Sequence, residues 1–135
     1  MKRLLPLLLF FLKISVAAAS DVGISQVLYD PLNESGGEAV ELRNTGSSAI
    51  DISGWLLATE TSAADATIPA GTILQPGSRY LIADAGWAAG KDNAAWRNAN
   101  HEEAITLANA DAGVALSNGS SIVDAVGWGN AANIG

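Results

Sequence analysis

The chain has 135 residues, with fourteen acidic against seven basic side chains and a net charge of −7. This acidic balance argues against binding to a nucleic-acid backbone or to anionic lipid, since both need clustered Lys and Arg. Cysteine is absent, which excludes disulfides, a thiol nucleophile and a zinc site with Cys ligands. The length is sufficient for one domain with a hydrophobic core.

The first 19 residues have the layout of a secretory signal peptide. Lys2 and Arg3 precede an almost wholly apolar run from Leu4 to Leu12, and small residues follow at 17–19. The apolar run is too short to span a bilayer. We therefore expect cleavage after Ala19, a secreted or cell-envelope protein, and no membrane span in the mature chain. Residues 20–135 would then carry a net charge of −10.

The rest of the chain consists of short runs with the period of a β-strand, separated by turn sequences. The runs lie at residues 22–30, 38–44, 50–57, 67–74, 79–83 and 104–108, followed by a hairpin with Asn118-Gly119 at its tip. About eight short strands, with no sustained helical period, predict an all-β sandwich. In the second run the alternation predicts that Glu41 faces solvent.

We expect the strands to pack around the stretch Ile50–Leu57. Trp55 is its largest apolar side chain, and Gly54 is predicted to kink or bulge the strand beside it. The predicted core comprises Val40, Leu42, Ile52, Trp55, Leu57, Leu81 and Leu107.

The candidate binding residues are tryptophans, because aromatic rings on loops can stack on sugars or anchor a protein partner. Trp87 and Trp96 lie in the longest connection, residues 84–103, and Trp128 ends the last strand. Long connections in compact domains are often functional. The alternative is that this loop folds back and its rings cover one open end of the sandwich.

Catalytic and metal-binding patterns are weak. His101 stands alone, and no serine lies in a Gly-x-Ser-x-Gly elbow. Asp30, Glu34, Glu38 and Glu41 cluster near one loop, but their spacing fits no calcium-binding loop, so we interpret them as solvated acids. We predict no catalytic residue, no metal site and no cofactor.

Four segments occur in order along the chain: GGEAVELRNTG, AIDISGWLL, TIPAGTILQPGSRYLIA and GVALSNGSSIVDAVGWG. Together they resemble the lamin tail domain, the immunoglobulin-like β-sandwich of nuclear lamins that is also found in exported prokaryotic proteins. The resemblance runs from Val22 to about Gly129. It implies a role in interaction or tethering, often beside exported hydrolase domains, and no catalysis. There is no coiled-coil rod or prenylation box, so the filament and nuclear roles of lamins do not transfer.

These observations together predict a secreted, non-catalytic interaction or tethering module with a protein or cell-surface partner and no nucleic-acid binding by this domain alone. Two alternatives stay open. One is a carbohydrate-binding module that uses Trp87 and Trp96 to hold a polysaccharide. The other is an accessory domain of a secreted hydrolase or nuclease.

Overall fold

Ten short strands and one helical turn form residues 20–130, the part of the chain that the computed structural model describes. The elements are β1 Val22–Leu28, β2 Ala39–Asn44, β3 Ile50–Asp51, β4 Leu56–Ala58, β5 Ala66–Thr67, β6 Ile73–Leu74, β7 Arg79–Ala83, α1 Trp87–Gly90, β8 His101–Glu102, β9 Ala112–Ser117 and β10 Ile122–Trp128. The predicted signal peptide lies outside the described residues. Between residues 20 and 130, no helix is long and apolar enough to cross a membrane.

Two four-stranded sheets make up the body of the fold. The first sheet has the order β1-β2-β7-β8, antiparallel except for the parallel β7–β8 pair, and the second has the order β10-β9-β4-β5, antiparallel throughout. β3 and β6 form a separate two-stranded ladder. Side chains from both large sheets meet in one aliphatic core, whose fully buried members include Leu42, Ile52, Leu57, Ile68, Ile82 and Leu116. The all-β fold class predicted from the sequence is confirmed.

Trp55 is not at the centre of this core. Its ring is half-buried and packs against the edge of the core, while Ile52 and Leu57 on either side are fully buried. The stretch predicted as one kinked strand is in fact two strands, β3 and β4, which belong to different sheets. A tight turn joins them: Gly54 has a φ of 73°, and the Trp55 N–H donates to the Ile52 carbonyl at 3.1 Å. Gly54 therefore allows a change of sheet rather than a bulge.

The other predicted core side chains, Val40, Leu42, Leu81 and Leu107, are also buried. Leu81 is separate from the main core. It lies on the outer face of the first sheet, in a small cluster with Ala39, Ala83 and Trp87.

The segment 104–108, predicted as a strand, is extended but pairs with no strand among residues 20–130. It nevertheless buries Ile105 and Leu107. Carboxylates from distant parts of the chain replace the missing ladder by accepting from three consecutive backbone N–H groups. These bonds are Ile105 N–H to Asp84 Oδ1 at 3.3 Å, Thr106 N–H to Asp65 Oδ2 at 2.8 Å and Leu107 N–H to Glu38 Oε2 at 3.0 Å.

Glu38 is buried, although the sequence interpretation made it a solvated acid. Loss of hydration raises its pKa, and the neighbouring charges of Asp84 and Glu34 raise it further, against the lowering effect of the Leu107 N–H bond. A carboxyl group whose pKa is raised by folding takes up protons more readily in the folded state. Its contribution to stability is therefore fully present below the unfolded pKa of about 4.5 and is lost as the pH rises through the folded value.

We predict that Glu38→Gln melts at a higher temperature than the wild type at pH 7, because the amide keeps an acceptor for Leu107 without a buried charge. The advantage should shrink as the pH falls through the raised pKa of Glu38 towards 4.5, because the wild-type carboxyl of the folded protein becomes protonated. Thermal melts of both proteins across this pH range give the comparison. Glu38→Leu is the matched control, which should melt lower at every pH because the Leu107 N–H loses its acceptor. A deficit of Glu38→Gln at pH 7 that disappears in acid would contradict the prediction.

Candidate functional site

Residues 84–100, here called the covering loop, fold over the outer face of the first sheet. The helical turn α1 begins the loop at Trp87, whose N–H donates to the Asp84 carbonyl at 3.1 Å. The last residue of α1, Gly90, lies so close to Gly36 that a Cβ atom on Gly90 would be 2.8 Å from the Gly36 carbonyl oxygen. The covering loop ends where Asn100 pairs with β7: its N–H donates to the Leu81 carbonyl, and its Oδ1 accepts from the Leu81 N–H, each at 2.8 Å.

Trp87 fixes the covering loop to the sheet. Its side chain is 3% exposed and packs against Ala39, Leu81 and Ala83. The indole N–H donates to the Arg97 carbonyl at 3.0 Å, which ties the start of the loop to its end. Trp87 is therefore a packing residue, as in the alternative where the loop folds back, and not a ring presented to solvent.

Trp96 is the exposed aromatic side chain of the covering loop. It is 41% exposed, and its ring stacks on Trp87 with centroids 6.1 Å apart and an interplanar angle of 16°. The buried ring thus holds the exposed one in a fixed orientation. Lys91 also holds the backbone of Trp96, because its ammonium donates to the Trp96 carbonyl.

An open cleft of about 350 Å³ lies between the covering loop and the outer face of the sheet. Its apolar lining comes mainly from Leu28, Ala39, Leu81, Trp87 and Trp96, and its polar lining from Gln26, Glu41 and Arg97. Apolar walls with a few polar groups are typical of ligand sites.

Glu41 contributes the carboxylate of the cleft. The strand alternation predicted a solvent-facing side chain, but the residue is 8% exposed because the covering loop lies over this face. Its Oε1 accepts from the Ser25 hydroxyl and from Arg79 Nη1, both at 2.7 Å. Its Oε2 lies 4.0 Å from Arg97 Nη1, and within residues 20–130 it accepts no hydrogen bond. This oxygen is available to a donor in the cleft.

Trp128 lies apart from the cleft. It is 9% exposed, its ring stacks on Tyr29 at 4.6 Å, and its indole N–H donates to the Ala108 carbonyl at 2.7 Å. It belongs to the main core and borders only a smaller groove between β1 and β10. The structure therefore brings two of the three candidate tryptophans together and leaves the third in a packing position.

The lone histidine has a structural partner. His101 Nε2 lies 2.9 Å from Glu103 Oε2, and the same oxygen accepts from the Thr67 N–H at 2.9 Å. The His101 bond, followed by the Thr67 bond, lowers the pKa of Glu103. The pair joins β8 to β5. No group of three or more acidic or histidine side chains suited to a metal ion occurs between residues 20 and 130.

The family model for the lamin tail domain matches residues 15–130, which is most of the chain. The chain belongs to the lamin tail domain family. The resemblance found in the sequence is thereby confirmed, and the two-sheet sandwich is the immunoglobulin-like fold of these non-catalytic domains. A comparison with curated proteins finds no match.

The polar part of the cleft in this lamin tail domain was missed by the sequence analysis. Gln26, Glu41 and Arg97 lie on β1, β2 and the covering loop, far apart in sequence. Strand alternation shows that Glu41 and Ala39 share the outer face of β2. It does not show that a loop forty residues later covers that face.

We predict that Trp87→Ala destabilises this lamin tail domain by about 3–5 kcal/mol, because it empties a buried site. Trp96→Ala should cost only about 1 kcal/mol, the value of an exposed stacked pair. Urea unfolding of both variants, followed by circular dichroism, measures the two free energies. Equal, small losses would show that Trp87 is not packed against the sheet.

Proposed function

We propose that this lamin tail domain is an exported, non-catalytic interaction module that contacts its partner through the cleft beside Trp96. The observation that carries the proposal is the Trp96 ring, half-exposed at the cleft and stacked on a buried second ring. A large aromatic side chain held in one orientation loses little entropy on binding, and such side chains dominate many interfaces.

The chemistry of the described residues supports a binding role. The histidine is paired with a carboxylate that also holds a backbone N–H, so it serves the fold. The Glu41 carboxylate lies beside two guanidinium groups. A charge-paired carboxylate next to an aromatic ring can bind and orient a ligand.

Export is supported by the basic start, the apolar run and the small residues that precede Ser20. The partner is then a protein or polymer of the cell surface or its surroundings, and the module tethers whatever it is attached to. The accessory role beside a secreted hydrolase is one case of such tethering.

The test compares the wild type with Trp96→Ala in a pelleting assay on the cell-envelope fraction of the producing cells. Loss of an aromatic anchor worth about 2 kcal/mol should weaken binding about 30-fold. Ile122→Ala is the matched control, since Ile122 is an exposed apolar side chain on the second sheet, and it should bind like the wild type. Both variants should keep the wild-type circular dichroism spectrum.

Equal binding by the wild type and a folded Trp96→Ala variant would contradict the proposal. A matching loss in Ile122→Ala would place the contact surface on the second sheet instead.

A further inference from the structure

All four Lys and Arg side chains of residues 20–130 lie on one side of the molecule. Arg43 and Arg79 are direct cross-strand neighbours on the outer face of the first sheet. Lys91 and Arg97 belong to the covering loop over the same face. The same side also carries the carboxylates of Glu41, Asp84 and Asp92, but of these only Glu41 lines the cleft.

The cationic groups beside the cleft are only partly neutralised. Glu41 is the one carboxylate among its lining residues, and its close partner is Arg79 at 2.7 Å. Arg97 lies 4.0 Å from Glu41 and hydrogen-bonds to the neutral amide of Asn100. The Arg43 side chain is exposed and, within residues 20–130, has no ion pair or hydrogen bond.

We propose that the cleft binds a polysaccharide that carries carboxylate groups, as in a chain of uronic acids. This inference rests on the proposed function and names the ligand class of the same site. The apolar face of a sugar ring stacks on Trp96, as sugars commonly do on aromatic side chains. Guanidinium groups match a carboxylate with two parallel hydrogen bonds, so Arg97, which lines the cleft, is suited to hold an acid group of the ligand. Arg43 lies outside the cleft lining on the same face of the sheet, where a longer ligand chain would meet it.

The remaining polar groups complete this recognition. Sugar hydroxyls both donate and accept hydrogen bonds. The Glu41 Oε2 atom accepts from a hydroxyl, and the Gln26 amide can do either. A carboxylated saccharide therefore satisfies the stacking ring, the acceptor and the cations of the cleft at once.

An extended peptide is the competing occupant, because β1 is an edge strand of the first sheet and lines the cleft with Gln26, Val27 and Leu28. A peptide that adds to this edge is held by main-chain hydrogen bonds, so its binding should not depend on the charge of Arg97. A nucleic acid fits less well, because binding to a phosphate backbone needs many cationic contacts and residues 20–130 contain four cations. The proposed saccharide needs one carboxylate at Arg97, and its ring and hydroxyl groups make the other contacts.

The test uses three probes with the whole protein: polygalacturonate, the same polymer fully methyl-esterified, and oligothymidylate. We expect polygalacturonate to bind in affinity electrophoresis and to quench tryptophan fluorescence, and the ester to do neither because it has lost its charge. Binding should weaken as salt rises towards about 1 M, where the screening length is about 3 Å.

Substitutions locate the site. Arg97→Gln and Trp96→Ala should each weaken polygalacturonate binding about tenfold or more, as expected for a charge-assisted hydrogen bond or a stacked ring. Arg43→Gln removes an exposed side chain that has no ion pair or hydrogen bond within residues 20–130, and it should weaken polygalacturonate binding by a smaller factor. Ile122→Ala on the second sheet should bind like the wild type.

Equal binding of the methyl ester, or of oligothymidylate, would overturn the assignment of a carboxylated saccharide. Failure of polygalacturonate to bind would overturn it too. If binding to the cell-envelope fraction still depends on Trp96 in these cases, the proposed function holds with a ligand of another class. If Trp96→Ala binds that fraction like the wild type, the proposed function and the saccharide assignment are both wrong.

Discussion

Carboxylates that accept hydrogen bonds from distant backbone N–H groups hold the connections of this protein in place. Asp84 binds the N–H groups of Gly36 and Ile105, and Glu102 binds that of Gly86. Further bonds of this kind join Asp92 to residues 32 and 33, Glu103 to residue 67 and Asp124 to residue 24. A buried backbone donor without a partner is costly, so irregular chain can cover a sheet only when such acceptors are supplied. The acidic composition thus has a structural use besides surface charge.

The cleft depends on these bonds. Asp84, at the start of the covering loop, and Glu102, just past its end, fix the loop against neighbouring chain, and Trp87 can then pack against the sheet. Stacking on Trp87 in turn orients Trp96. Because the covering loop lies over the outer face of β2, Glu41 is a buried carboxylate beside two arginines and not a solvent-exposed strand residue. The candidate site is therefore a product of how the loop is held, and its rigidity suits an anchor that must meet a partner without reordering.

Local patterns predicted much of the fold and little of the site. The β-branched run of β1, the alternation of β2 and the Asn118-Gly119 hairpin between β9 and β10 all lie where the sequence indicated. The segment 104–108 has the composition of a strand, but its partners are side-chain carboxylates, and strand periodicity does not distinguish these from a neighbouring strand. Trp87 is buried, as in the alternative where the loop folds back, and Trp55, which was predicted in the core, is only partly buried. Both depend on which distant segment covers the ring, and no local pattern carries that information.

The central claim is that carboxylates replace a strand partner along residues 105–107. Amide hydrogen exchange measured by NMR at neutral pH tests it directly. We expect the N–H groups of Ile105, Thr106 and Leu107 to exchange slowly, as the paired amides of β2 do, because each is bonded to a carboxylate in the folded state. Exchange of all three at the rate of exposed loop amides, in a protein whose β2 amides are protected, would contradict it.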